Sequence, residues 1–187
     1  VQNGDGIYQT TETVAQSFIL LDHIDFGGDC INIKNFSGVL QGNGFSLRSI
    51  KSKFQMGIFE TMQGEIYNLA FENIIFEPWF NVWVDIKNEQ GEKSTGILGR
   101  SGLLAVRLSG KLENVYVQGD MLGDSYAYIY WDGINPNRHP STNDEGNATS
   151  GILAYDASGA MLKNIIIDVN TCYRQGRTTD LYLVAGK

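Results

Sequence analysis

The sequence predicts an all-β chain, a β-solenoid of about five rungs forming one domain over residues 1–187. Three observations predict it. Similar segments recur at long intervals, they alternate apolar and polar residues with the period of a strand, and no helix-length pattern separates them. The composition agrees. A chain of 187 residues that is 42% hydrophobic and 19% charged supplies one sizeable core and excludes a disordered chain, and 22 glycines without a triplet period exclude collagen.

The elements follow in chain order. Gly4-Asp5-Gly6-Ile7-Tyr8 reads as a turn and a strand, and Phe18 to Phe26 alternates as a strand does. Between Phe36 and Ile50, Gly42-Asn43-Gly44 marks a tight turn between two apolar strands. Leu47-Arg48-Ser49-Ile50 then matches a pattern seen three times later, with Ser49 in the place of an asparagine.

Those three later segments each read Gly-Ile-apolar, a variable stretch, then apolar-x-Asn-apolar-x-apolar. They are Gly57-Ile58-Phe59 with Ile66 to Phe71, Gly96-Ile97-Leu98 with Leu112 to Val117, and Gly151-Ile152-Leu153 with Leu162 to Ile167. Apolar residues share columns at 66/112/162, 69/115/165 and 71/117/167. No strand of this kind buries its inner face alone, but stacking equivalent strands at roughly 4.8 Å closes a continuous core. Asn68, Asn114 and Asn164 interrupt the alternation at one place, 46 residues apart (68 to 114) and then 50 (114 to 164). That place reads as a corner, where Asn tolerates left-handed backbone and stacked amides form a ladder.

Residues 36–50 resemble the F-S-G-x-L-D-G-N-G-x-x-I pattern of right-handed parallel β-helices of the pectin-lyase-like type, with Gln41 where Asp is common. The Gly-Ile-Phe and Gly-x-Ile-x-Asn-Leu-x-Phe blocks look like the GLUG-type repeats of bacterial surface proteins. The resemblance spans roughly residues 18–75, 95–120 and 150–170. It implies a right-handed parallel β-helix in an extracellular, cell-surface or virion-surface protein. The corresponding roles are adhesin, phage capsid or tail component, or polysaccharide-degrading enzyme.

Two insertions, roughly 75–95 and 121–149, carry all three tryptophans. The candidate binding patch is Trp79, Phe80 and Trp83 from the first and Tyr126, Tyr128, Tyr130 and Trp131 from the second. Val82 to Ile86 alternates as a short strand, and Asn88-Glu89-Gln90-Gly91-Glu92 signals a turn. Both insertions leave after equivalent strands, so they are expected on one side as neighbours. The aromatics read as a satellite core, as anchors for a protein partner, or as a platform that stacks on sugar rings. The expected role is a non-enzymatic display module.

The alternative is a polysaccharide lyase or glycoside hydrolase working through the second insertion, with Asp124 and Asp132 as acid and base. Asp120, Asp144 and Glu145 are further carboxyls, and nothing pairs them at the required separation. Neither a G-x-S-x-G elbow nor a phosphate-cradling loop is visible. Asn143-Asp144-Glu145-Gly146-Asn147 lacks a full calcium loop, and two cysteines with two distant histidines make no zinc site. No metal or cofactor is expected. Cys30 and Cys172 read as buried small apolar residues rather than a bridge. The net charge of −7 argues against nucleic-acid binding, and no apolar run reaches the length of a membrane span.

Leu181 to Ala185 reads as the first strand of another rung, leaving an open end. Either the chain continues beyond it in the native protein, or a partner protein or neighbouring subunit covers it. Val1 in place of Met suggests a processed chain or an excised piece.

Overall fold

The computed structural model describes residues 7–53, 57–77, 84–87, 93–96, 100–124, 149–174 and 180–182. These residues are all-β, with no helix among them. The first coil holds β1 (Ile7–Gln9), β2 (Thr13–Val14), β3 (Ser17–Ile19) and β4 (Ile24–Asp25). Above it lie β5 (Cys30–Phe36), β6 (Val39–Gln41) and β7 (Ser46–Arg48), then β8 (Lys51–Lys53), β9 (Phe59–Met62) and the long β10 (Glu65–Glu77). A hairpin of β11 (Val84–Lys87) and β12 (Lys93–Gly96) precedes β13 (Arg100–Gly102), β14 (Ala105–Leu108) and β15 (Lys111–Asp124). The last described strands are β16 (Thr149–Gly151), β17 (Ala154–Asp156), β18 (Met161–Arg174) and β19 (Asp180–Tyr182).

Pairing between coils is parallel. One file runs Phe18, Leu40, Ile66, Leu112, Leu162, through five stacked strands. A second runs Ile24, Leu47, Phe71, Val117, Ile167. Round the next bend, Ile7, Cys30, Lys51, Ile75, Asp120 and Asn170 align. On the opposite wall Val14, Phe36, Met62 and Leu108 align, and Ala105 aligns with Ala154. Coils without an insertion take 22 residues (18 to 40) and 26 (40 to 66). The stack is a mostly parallel, unclosed sheet arrangement, consistent with a β-solenoid. The hairpin β11–β12 is antiparallel.

The inward members of these files make the core. Phe59 lies at its centre, 5.6 Å from Phe36 and 6.5 Å edge-on from Phe71 between ring centroids. Ile66, Leu112, Val117, Leu104 and Leu153 are fully buried around it. Cys30 is buried in β5. The Phe18–Phe26 stretch is two short strands, β3 and β4, separated by a bend.

Register corrects three assignments made from the pattern alone. Gly151 pairs with Gly102, so the partner of Gly151-Ile152-Leu153 is Gly102-Leu103-Leu104; Gly96 instead sits in the hairpin opposite Val84. Ser49 belongs to a different column from Asn68. Leu40 pairs with Ile66 and Leu47 with Phe71, because the Gly42-Asn43-Gly44-Phe45 corner holds two more residues than the Asn68 corner. This places Ser49 beside Asn73, whose Nδ2 approaches Ser49 Oγ at 3.4 Å, and both have positive φ (54° and 53°). Finally, β10 and β15 run on through 75–77 and 121–124, so the excursions start after Glu77 and Asp124.

One file consists of glycines for a steric reason. A Cβ on Gly64 would lie 2.2 Å from Gly38 O, and one on Gly110 would lie 2.0 Å from Gly64 O. The approach is fixed by backbone bonds, Glu65 N–H donating to Gly38 O (2.9 Å) and Lys111 N–H to Gly64 O (2.9 Å). In the last coil Met161 N–H donates to Gly110 O (3.0 Å), but the turn before it holds one more residue, Gly159 at φ 83°, and Ala160 takes the glycine's place.

Candidate functional site

The base of the candidate display site is built from strand ends. β10 ends at Glu77, β15 at Asp124 and β18 at Arg174, and these strands run side by side, with Phe76 against Met121 and Asp124 against Arg174. The chain returns on β13, β16 and β19, which form their own parallel sheet with Arg100, Thr149 and Asp180 in one row. Three successive coils therefore open and close at the same two places. The excursions comprise residues 78–99, 125–148 and 175–179. The first contains the hairpin, whose first strand, Val84–Lys87, overlaps the strand expected at Val82–Ile86; the turn expected at 88–92 lies outside the described residues.

Trp79, Phe80, Trp83, Tyr126, Tyr128, Tyr130, Trp131 and Asp132 lie outside the described residues. Asp124 is the last residue of β15, opposite Arg174 in backbone register. Asp120 sits in the same strand and accepts a hydrogen bond from Asn170 Nδ2 (3.0 Å). Among the described residues no group of three or more His, Cys, Asp or Glu is placed to hold a metal ion. No helix there is long and apolar enough to cross a membrane.

The asparagine file is a hydrogen-bonded ladder. Asn114 Nδ2 donates to Asn68 Oδ1 (2.8 Å), and Asn164 Nδ2 donates to Asn114 Oδ1 (2.9 Å). All three residues have φ between 50° and 55°. The ladder starts one coil lower than the repeats suggest, with Asn68 Nδ2 donating to Gln41 Oε1 (3.0 Å). The resemblance singled out Gln41 only as a missing carboxylate. Its amide is what allows it to accept here without adding a charge.

Beside the ladder an ionic file runs across the outer face. Lys111 Nζ lies 2.8 Å from Glu113 and 4.8 Å above the Tyr67 ring, whose hydroxyl donates to Glu65. Lys163 Nζ reaches Glu113 from the coil above at 2.6 Å. Held first by Lys111 and then by Lys163, the Glu113 carboxyl is lowered to about 2. One file over, Tyr116 O–H donates to Asp168 (3.1 Å), and burial followed by that carboxylate pushes the phenol up.

A second polar cluster, unseen in the sequence, joins the first three coils. Buried Ser46 Oγ lies 2.7 Å from His23 Nδ1 and 2.6 Å from Arg48 Nε, and Ser46 N–H donates to His23 Nδ1 (3.1 Å). Arg48 Nε also meets Glu72 at 2.7 Å. Burial pushes the Glu72 carboxyl up, but the Ser46 and Arg48 hydrogen bonds outweigh it and leave the group below its ordinary range. The hydroxyl here sits between imidazole and carboxylate. In a nucleophilic triad the imidazole takes that middle place. The cluster therefore ties coils together and does not activate Ser46.

Comparison of the chain with family models, with curated proteins and with solved structures gave no match.

Proposed function

We propose that this chain is a right-handed parallel β-helix of the pectin-lyase-like kind with GLUG-type repeats. In this reading it serves as a non-enzymatic module of an extracellular, cell-surface or virion-surface protein. It displays the aromatic excursions 78–99 and 125–148 for binding a partner protein or a glycan, as an adhesin or a phage capsid or tail component does. One observation carries the reading: both excursions leave and re-enter in register, on adjacent strands, from a stack tied by amide and ionic files. A rigid scaffold that opens twice at one place concentrates variable sequence there. Tyr and Trp supply large contact area at low conformational cost.

The test is binding to a glycan array and to host or virion protein extracts, with Trp83→Ala and Trp131→Ala as controls. Retained binding to an identified glycan or protein, lost in either variant, is the expected result. Binding unchanged in both variants removes the aromatic platform. Release of reducing or unsaturated sugar from a polysaccharide panel, abolished by Asp124→Ala or Asp132→Ala, would replace it with the hydrolase or lyase reading.

A further inference from the structure

Gly42-Asn43-Gly44-Phe45 is a type I′ turn, with Phe45 N–H donating to Gly42 O (2.9 Å) and φ at 54° for Asn43 and 82° for Gly44. Asn43 and Gly44 are both exposed to water. Asn followed by Gly is the pair in which a side-chain carboxamide and the next main-chain nitrogen meet with least hindrance, because Gly brings no Cβ to the approach. The reaction open to them needs only water and its hydroxide. The Gly44 nitrogen, its proton taken up by hydroxide, attacks Asn43 Cγ. The new N–Cγ bond closes a five-membered succinimide, and the side-chain amide group, taking a proton from water, leaves as ammonia. Water then opens the ring, at Cγ to give an aspartate or at the main-chain carbonyl to give an isoaspartate.

The folded corner blocks the first bond. Gly44 N–H donates to Asn68 O in the third coil (2.9 Å) and Gly42 N–H donates to Tyr67 O (2.7 Å), so the peptide plane that must turn to carry the nitrogen onto Cγ is tied down. A Cβ on Gly42 would lie 2.5 Å from Asn68 O, so the corner rests directly on the coil above. Attack therefore waits until the corner lifts from Asn68. The isoaspartate carries its main chain through Cβ and Cγ, which adds one atom to the turn. Gln41↔Tyr67 and Ser46↔Ala70 fix the strands on either side in register, and a two-residue turn of this type has no place for that atom.

We propose that Asn43 is a site of spontaneous deamidation gated by local opening of this corner, and that its isoaspartyl product keeps the second coil from closing again on the third. The site is separate from the excursions, so it stands or falls independently of their role. The full chain is incubated in mildly alkaline buffer, folded and in guanidinium chloride, and mapped by peptide mass spectrometry with enzymatic methylation of isoaspartate. Asn3-Gly4, the other Asn-Gly pair of the chain, lies outside the described residues and serves as the chemical reference in denaturant. There the two pairs should convert at similar rates. In the folded chain Asn43 should convert at least about tenfold more slowly than in denaturant, as local opening of a tied segment requires. Gly42→Ala, which forces the corner off Asn68, should bring the folded rate back toward that variant's own denatured rate. Chains carrying the isoaspartate should unfold at a lower denaturant midpoint than unmodified chains. If Gly42→Ala does not fold, the folded-to-denatured ratio of the parent and the midpoint of its modified chains decide. Equal rates in folded and denatured parent, an Asn43 that stays intact in denaturant, a folded Gly42→Ala variant as slow as the parent, or modified chains with an unchanged midpoint overturns the proposal.

Discussion

Asn114 meets two demands with one side chain. It holds φ at 55°, where most L-residues lose about 1–2 kcal/mol, and its amide donates to Asn68 while accepting from Asn164. Replacement separates the two. Asn114→Gly keeps the backbone and loses the amide bonds, so it should cost about 1 kcal/mol in chemical denaturation. Asn114→Ala loses both and should cost about 2 kcal/mol. Equal costs for the two variants would mean that backbone conformation contributes nothing. Glu113 gives a pH prediction. Its folded carboxyl is lowered to about 2 from an ordinary 4.5, so the ionised form is favoured by folding. Its contribution is present above pH 4.5 and drains away as pH falls toward 2. Glu113→Gln should therefore lower stability at neutral pH and flatten its loss across that interval, so that variant and parent converge as pH approaches 2. The lowered carboxyl of Glu72 leaves part of the slope in place.

At the scale of elements, the glycine file sets the tightest packing limit. Gly110→Ala would drive a methyl into the Gly64 carbonyl, and both atoms' positions are pinned by ladder hydrogen bonds. It should destabilise by about 1–3 kcal/mol, read from the denaturation midpoint. Ala160→Gly, where the longer turn already admits a methyl, should cost less than that. The strands themselves were legible because period-two alternation survives in Ile66-Tyr67, Leu112-Glu113 and Leu162-Lys163, and their shared asparagine fixes the register between coils. Gly96-Ile97-Leu98 misled because its letters match Gly151-Ile152-Leu153 better than Gly102-Leu103-Leu104 does. Spacing was the better guide: from glycine to the ladder Asn is 11 residues at Gly57, 13 at Gly151, 12 at Gly102 and 18 at Gly96. Ser49 misled for the converse reason, a corner of different length upstream. The His23–Ser46–Glu72 cluster leaves no trace in the letters, since its members come from three coils and share no motif. The proposed aromatic patch rests on composition only, because the repeat determines the roots of an excursion and not its course.

For the molecule as a whole, the prediction is that the stack folds without the long excursions. The gap from Arg174 to Asp180 is crossed by residues 175–179 alone, between strands in register with those that flank the long excursions. Replacing 125–148 by a connector copying 175–179 should therefore leave the parallel stack intact, with far-UV circular dichroism changed little. Stability should shift by no more than about 1.5 kcal/mol, since loop length enters only logarithmically. Collapse of the fold in that variant would show that the second excursion is part of the core.

The glycine file also governs how such a protein can lengthen. Copying one coil and inserting the copy adds a wall strand, an amide rung and an ionic rung, where a later substitution loses contacts without driving atoms into the backbone below. The position equivalent to Gly64 differs: the duplicate must inherit its hydrogen atom in place of a side chain, or arrive with a longer bend as the last coil did. That single site is the gauge against which every new storey is cut, and the seam along which a mis-spaced duplication would split.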